Sequence, residues 1–203
     1  MFYGLSNITS IIFNNFDFSK VKSMKGIFYG CSNLISLDFI KSGISSIIDI
    51  SYMFHDCSNL RKLDLKNFNH SSITNMKAMF YNCKNIITLD LNHFDTSSVK
   101  DMSFMFYNCH NLESLYLNNI NASSLLYTGF MFYNCYNLIT LDLSNFNISS
   151  VIYMDHMFYN CNNLISLDIS YFNTSSAVLM NNLFYNCSNL ISIDLTNFDT
   201  SST

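Results

Sequence analysis

Proline and tryptophan are absent from this sequence, and glycine occurs only 5 times in 203 residues. That scarcity excludes a collagen-like repeat and a flexible linker. Charged residues make up 12% against 49% hydrophobic, which excludes a disordered chain, since such chains lack the apolar surface to offset their conformational entropy. No apolar run approaches the ~18 residues of a membrane-spanning helix, and no charged-apolar-small signal segment opens the chain. A net charge of −4 lacks the basic footprint of a nucleic-acid-binding domain.

Chemistry-bearing residues are equally sparse. Glu113 is the only glutamate, and His55, His70, His93, His110 and His156 fall at scattered positions. No acid–base pair, nucleophile constellation or phosphate-cradling Gly loop emerges. Neither an enzymatic activity nor a cofactor is expected. Cations are missing from one half altogether: all ten Lys and Arg lie between Lys20 and Lys100, while the acidic residues split seven and seven around that point. The first hundred residues carry 10 − 7 = +3 and the remainder −7. The distal half should attract cationic partners and repel nucleic acid and anionic membrane.

What is present is periodic. Seven cysteines, Cys31, Cys57, Cys83, Cys109, Cys135, Cys161 and Cys187, recur at intervals of 26 residues, and Leu5 fills the same column one period earlier. Disulfide frameworks and metal sites need ligands that converge, whereas an unbroken period of this length marks a solenoid. Asn7 through Asn189 fill another column without a gap, as do Phe2 through Phe184. Beside the Phe column run Tyr3, Tyr29, Tyr81, Tyr107, Tyr133, Tyr159 and Tyr185, interrupted by His55. No linker breaks the register, so residues 1–203 read as a single repeat domain with units closing at Leu5 and at each cysteine. Met1-Phe2 and Ser202-Thr203 both fall inside a unit, and without polar capping repeats an excerpt of a longer protein is expected.

Within a unit the apolar spacing changes. Leu138-x-x-Leu141-x-Leu143 alternates like a short half-buried strand. The polar turn Ser144-Asn145-Phe146-Asn147-Ile148-Ser149-Ser150 follows. Val151, Met154 and Met157-Phe158 then step by three, which predicts a helical or 3₁₀ turn. One such unit cannot bury enough to stand alone, but stacked units share ladders and a core. Stacking places equivalent residues ~4.8 Å apart, so every column becomes a ladder.

Each ladder carries an expectation. The Asn column should be buried and bonded to backbone groups of adjacent turns. The Cys column should be free thiols: the parallel Cβ vectors do not converge as a disulfide requires, and no C-x-x-C pair or His column suggests zinc or another metal. Asp38, Asp64, Asp90, Asp142, Asp168 and Asp194 sit between inward apolar residues and should point outward on the strand face. Beside them run Ser36, Lys62, Thr88, Ser114, Thr140, Ser166 and Ser192. Tyr81, Tyr107, Tyr133, Tyr159 and Tyr185 should stack along one flank, a second candidate binding strip. Asn-x-Ser/Thr sequences at Asn69, Asn121, Asn147 and Asn173 follow from the repeat.

The L-x-x-L-x-L core, the M-F-x-x-C closure and the 26-residue length resemble the BspA-like leucine-rich repeats of bacterial surface proteins. Lys41-Ser42-Gly43, Tyr116 and Thr128 depart from that pattern. The resemblance implies a leucine-rich-repeat-like solenoid, α/β or β-rich, of about eight turns. Short parallel strands would line one face and short helical or 3₁₀ turns the other. It further implies a non-enzymatic binding module, at the cell surface or secreted, that recognises a protein or glycan through the strand face. A basic segment in that partner would match the acidic ladder; nucleic acid is not expected. The alternative is a structural spacer that holds another domain away from an anchor.

Overall fold

The computed structural model describes residues 1–40, 44, 46–66, 72–117 and 120–201. Lys41-Ser42-Gly43, Asn69 and His70 lie outside the described residues. The chain winds as a solenoid whose coils, the last one excepted, contribute a short strand each: β1 (Ser10–Asn14), β2 (Ser36–Ile40), β3 (Lys62–Asp64), β4 (Thr88–Asp90), β5 (Ser114–Tyr116), β6 (Thr140–Asp142) and β7 (Ser166–Asp168). Among the described residues all pairings are parallel, in three sheets ordered β1-β2-β3, β4-β5 and β6-β7. The register is the repeat itself: Leu37 faces Leu63, Leu89 faces Leu115, and Leu141 faces Leu167. The strands are short because only the central leucine turns inward, with exposed neighbours on both sides. Half a coil further on, a second parallel ladder of single bridges runs Ser23, Asp49, Asn75, Asp101, Tyr127, Tyr153 and Leu179.

Opposite the strands, the structure replaces the expected helical turn with a chain of β-turns. Ile50, Tyr52, Phe54 and Asp56 each donate their N–H to the next coil, at Asn75, Lys77, Met79 and Tyr81 O, over 2.8–3.1 Å. Between them, Met53, His55 and Cys57 donate within the coil to Ile50, Tyr52 and Phe54 O over 3.0–3.2 Å. A helix would consume every N–H internally and leave none for the neighbour. Splitting the donors alternately satisfies both directions, as buried backbone requires. The geometry demands a left-handed residue at two positions per coil. One column holds Gly26, Tyr52, Ala78, Phe104, Phe130, His156 and Asn182; the other holds Gly4, Gly30, Asp56, Asn82, Asn108, Asn134, Asn160 and Asn186. Among these the φ angles run from 51° to 71°. Gly, Asn and Asp accept that conformation most readily.

The core is a bundle of side-chain stacks. Rings of Phe2, Phe28, Phe54, Phe80, Phe106, Phe132, Phe158 and Phe184 stack in one continuous line, with centroids 5.4–5.7 Å apart and interplanar angles of 3–14°. The repeat leucines and methionines pack around them, buried throughout the central coils. All seven cysteines are free thiols, six of them buried. Each thiol donates to the carbonyl of a Phe 29 residues earlier, as Cys83 does to Phe54 O at 3.1 Å. Burial pushes the thiol pKa well up at Cys83, Cys135 and Cys161, and to about 11 at the less covered Cys187. They act as small apolar fillers, poor in thiolate.

A stack of identical layers predicts a gradient of mutational cost. Phe132→Ala removes a ring packed between two others and should cost ~3–5 kcal/mol in denaturant unfolding. Phe2, with one stacked neighbour in its column, should cost clearly less. Equal costs would contradict a one-dimensional stack.

Candidate functional site

The strand face is built from the residues flanking each inward leucine. Asp38, Asp64, Asp90, Asp142 and Asp168 are exposed on strands there, and Asp194 is exposed in the last coil, which forms no strand. Asp38 pairs in register with Asp64, and Asp142 with Asp168. Tyr116, facing Asp90, interrupts the acidic line between its proximal and distal parts. The Ser, Thr and Lys column lies beside it: Thr140 faces Ser166, and Ser36 faces Lys62.

The carboxylates also have a local task that was not read from sequence. Asp64, Asp90, Asp142, Asp168 and Asp194 each accept, through Oδ1, the N–H two residues on, over 2.9–3.1 Å. This Asx turn ends the strand and starts the bend. The Ser144 hydroxyl and N–H hold Asp142 below the usual carboxylate range, and Thr196 does the same for Asp194. Hydrogen bonds to the charged form therefore outweigh repulsion along the ladder at these two positions. Asp17, Asp95, Asn121, Asn147, Asn173 and Asp199 form a second Asx column, each accepting from a serine N–H over 2.8–3.0 Å. The Asn-x-Ser sequences at Asn121, Asn147 and Asn173 are these turns.

The tyrosine flank is a continuous stack of eight rings, with His55 filling the break. Tyr81, Tyr107, Tyr133, Tyr159 and Tyr185 follow one another at 4.5–4.7 Å with interplanar angles of 2–12°. Their faces cover each other, so the flank presents ring edges and hydroxyls. Burial pushes the phenol pKa up at Tyr81, Tyr107 and Tyr133. At His55 burial pushes the imidazole pKa down against the pull of Asp56, which keeps the ring neutral at pH 7.

The asparagines depart from the expectation of burial. Asn59, Asn85, Asn111, Asn137, Asn163 and Asn189 are exposed or half-buried. Each donates Nδ2 to the Oδ1 of the asparagine one coil earlier, over 3.0–3.4 Å. A side-chain amide offers one donor and one acceptor along the axis, so the column satisfies itself without backbone help. A second, shorter ladder runs from Asp56 through Asn82, Asn108, Asn134 and Asn160 to Asn186, over 2.7–2.9 Å. It sits on the left-handed column, and Gly4 and Gly30 at its head were the sequence signal for it.

Among the described residues no group of three His, Cys, Asp or Glu could hold a metal ion. No described helix is long and apolar enough to cross a membrane.

This geometry is that of a BspA-like leucine-rich-repeat solenoid. The chain belongs to the DUF285 family, described as Mycoplasma protein of unknown function, whose model matches residues 1–119 and 115–203. A search of curated proteins finds no match to the sequence. Among solved structures, a leucine-rich repeat protein of Eubacterium ventriosum is similar over 92% of this chain and 54% of its own, with 16% identity and a TM-score of 0.57. The present chain thus spans about half the length of that protein. The leucine-rich repeat protein of T. pallidum is similar at 18% identity over 93% of this chain and 68% of its own, with a TM-score of 0.47. A leucine-rich cell surface protein of Faecalibacterium prausnitzii is similar at 15% identity over 92% and 66%, with a TM-score of 0.44. At such identities the likeness concerns the fold.

The Asx turns predict a pH dependence with a definite sign. A carboxylate whose folded pKa is depressed contributes stability above its unfolded pKa and loses it as pH falls through the folded one. Stability should therefore decline as pH drops below the usual carboxylate value of 3.8. Asp142→Asn retains the turn, as Asn147 shows one column away, and removes the charge. Urea midpoints measured from pH 6 to pH 2 (roughly the acid-titration range) should fall less steeply for that variant than for wild type. Parallel curves would show that the Asp142 turn contributes nothing to acid sensitivity.

Proposed function

We propose that this repeat domain is a non-enzymatic binding module that takes a basic segment of a partner protein on its strand face. The observation that carries the reading is the distal acidic strip. Asp142, Asp168 and Asp194 are exposed in successive coils, and no Lys or Arg follows Lys100 to balance them. Their Asx turns fix each Oδ1 on the backbone and hold the carboxylates in place, so little side-chain entropy is lost when a cation docks. One carboxylate per coil is a poor calcium cage, since that ion wants six to eight oxygens. A row of lysines or arginines spaced along an extended partner fits better. The resemblance to BspA-like repeats supports a place at the cell surface or outside the cell.

The test combines charge removal with salt. Asp142→Asn, Asp168→Asn and Asp194→Asn together keep the Asx acceptor and remove three charges. A short lysine peptide should bind wild type with an affinity that falls as salt rises, because the Debye length shrinks to ~3 Å at 1 M. The triple variant should bind at least ~10-fold more weakly with a flatter salt dependence. Unchanged affinity and unchanged slope would show that the strip is merely solvated.

A further inference from the structure

A groove of about 340 Å³ runs along the second bridge ladder, half a coil away from the strands. Its floor is the column Lys77, Ser103, Gly129 and Asp155, with Tyr127 and Tyr153 along one wall and Phe104 and Phe130 along the other. This is where the repeat is least regular. In the first four coils, the residue two before the floor carries an oxygen that accepts the floor N–H. Ser23 Oγ accepts from Lys25 at 3.2 Å, Asp49 Oδ1 from Ser51 at 2.8 Å, Asn75 Oδ1 from Lys77 at 3.0 Å and Asp101 Oδ1 from Ser103 at 2.8 Å. In the next two coils that residue is Tyr127 and then Tyr153, which offer no such acceptor. Among the described residues, the N–H groups of Gly129 and Asp155 make no hydrogen bond. Two donors that the fold satisfies elsewhere are thus left open along one groove.

Two further irregularities coincide with them. Phe104, Phe130 and His156 hold left-handed backbone at φ of 56–59°, a conformation that bulky side chains disfavour and that Asn182 accepts readily in the same column. Strain of this kind gathers where a side chain has a task, and here the rings form a groove wall. Asp155 is the other irregularity, since its carboxylate closes no Asx turn. Asn182 Nδ2 donates to His156 Nε2 at 3.1 Å, which leaves the ring proton on Nδ1, 3.4 Å from Asp155 Oδ2. Oδ1 has no partner among the described residues. It lies against Gly129, where an added Cβ would come within 2.9 Å of it. An open N–H and an open carboxylate oxygen therefore sit side by side on the groove floor.

These open groups restrict the ligand. An anion is repelled by Asp155, and no Lys or Arg follows Lys100 to hold it. A cation cannot accept from the two N–H groups, and Lys77 stands at the other end of the groove, with Nζ 3.8 Å from Asp101. A trans amide points its carbonyl and its N–H to opposite sides, so no peptide bond serves both groups. A hydroxyl does: one oxygen accepts from the Gly129 N–H and donates to Asp155 Oδ1. A second hydroxyl on the adjacent carbon can accept from the Asp155 N–H, one coil and ~4.8 Å further on. That pair is a vicinal diol. The C–H groups of its ring would lie against the edges of the stacked Tyr127–Tyr153 and Phe104–Phe130 pairs. Toward Lys77, the Ser103 hydroxyl donates to Asp101 at 2.6 Å and keeps its lone pairs for further hydroxyls. Apolar walls with a few placed polar groups, and a volume within ~300–1,000 Å³, are the marks of a small-ligand site.

We propose that this groove binds a neutral hexopyranose through a vicinal diol, with one hydroxyl bridging the Gly129 N–H and Asp155 Oδ1. The site lies on another face and takes an uncharged ligand, so it stands or falls apart from the strand-face reading. Methyl glycosides of glucose, galactose and mannose present vicinal hydroxyls in both cis and trans arrangements. Titrated into the ¹⁵N-labelled 203-residue chain, at least one should shift the Gly129 and Asp155 amides saturably. Its fully O-methylated form keeps the ring but cannot donate to Asp155, and should not bind. Tyr127→Asn supplies the acceptor that Asn75 provides two coils earlier, and should weaken binding at least ~10-fold. Tyr127→Phe leaves the Gly129 N–H open and should bind as wild type does. Asp155→Asn should weaken binding too, because a single acceptor oxygen then serves both His156 and the ligand. No saturable shift with any of the glycosides would overturn the assignment, as would equal binding by Tyr127→Asn and Tyr127→Phe. Binding of a serine peptide and of no glycoside would also overturn it, by giving the groove to a protein side chain.

Discussion

Every coil is fastened to the next by N–H groups two residues apart, each donating to a carbonyl 25 residues further along. The rest of the structure depends on that arrangement. The intervening N–H groups must close β-turns within the coil, and the turns close only with left-handed residues at two columns. One of those columns became asparagine, whose short amide tolerates the conformation and also bonds its counterpart in the next coil. The other tolerates bulky residues such as Phe104, Phe130 and His156, whose rings stack at 4.6–4.9 Å and so offset part of the backbone strain. The fixed register brings like residues together, which is why rings stack on rings and amides bond amides along the whole solenoid.

A lattice of this kind separates scaffold from surface. Columns that serve the register, such as Phe, Cys, the inward Leu and the two Asn ladders, scarcely vary along the chain. Columns outside that duty are free to differ, and the chemistry gathers there. The outward aspartates combine both roles: one oxygen holds the turn and the other faces solvent. The groove arises by the opposite route. Replacing an Asx residue by tyrosine removes a scaffold bond, exposes a donor and supplies an aromatic wall in one step.

Much of the fold is legible in the sequence because the period is legible. The 26-residue cysteine interval carries the solenoid, the leucine alternation carries the strands, and the placement of Asp between inward leucines carries their exposure. The β-turn chain was harder to read, since apolar steps of three, as at Met154 and Met157, suit a helical turn as well as successive turns. Gly4 and Gly30 hint at it by falling in a column otherwise filled by Asn or Asp. The ladder that ends at Asn189 lies on the surface and not in the expected interior, because periodicity alone does not reveal which side of the wall a column occupies. The groove was invisible for a further reason. An unpaired N–H at Gly129 has meaning only once the Asx bonds of Asp49, Asn75 and Asp101 are known.

The left-handed column is the most direct place to test this account. Asn134 has a φ of 60° and bonds Asn108 at 2.7 Å. Alanine and glycine both abolish that bond, but only alanine meets the left-handed penalty of ~1–2 kcal/mol. Chemical unfolding of Asn134→Gly and Asn134→Ala should therefore show glycine as the milder change, reversing the usual order in which glycine costs more than alanine. If the glycine variant proves equally or more destabilised, the coils are not held together by the turn geometry described.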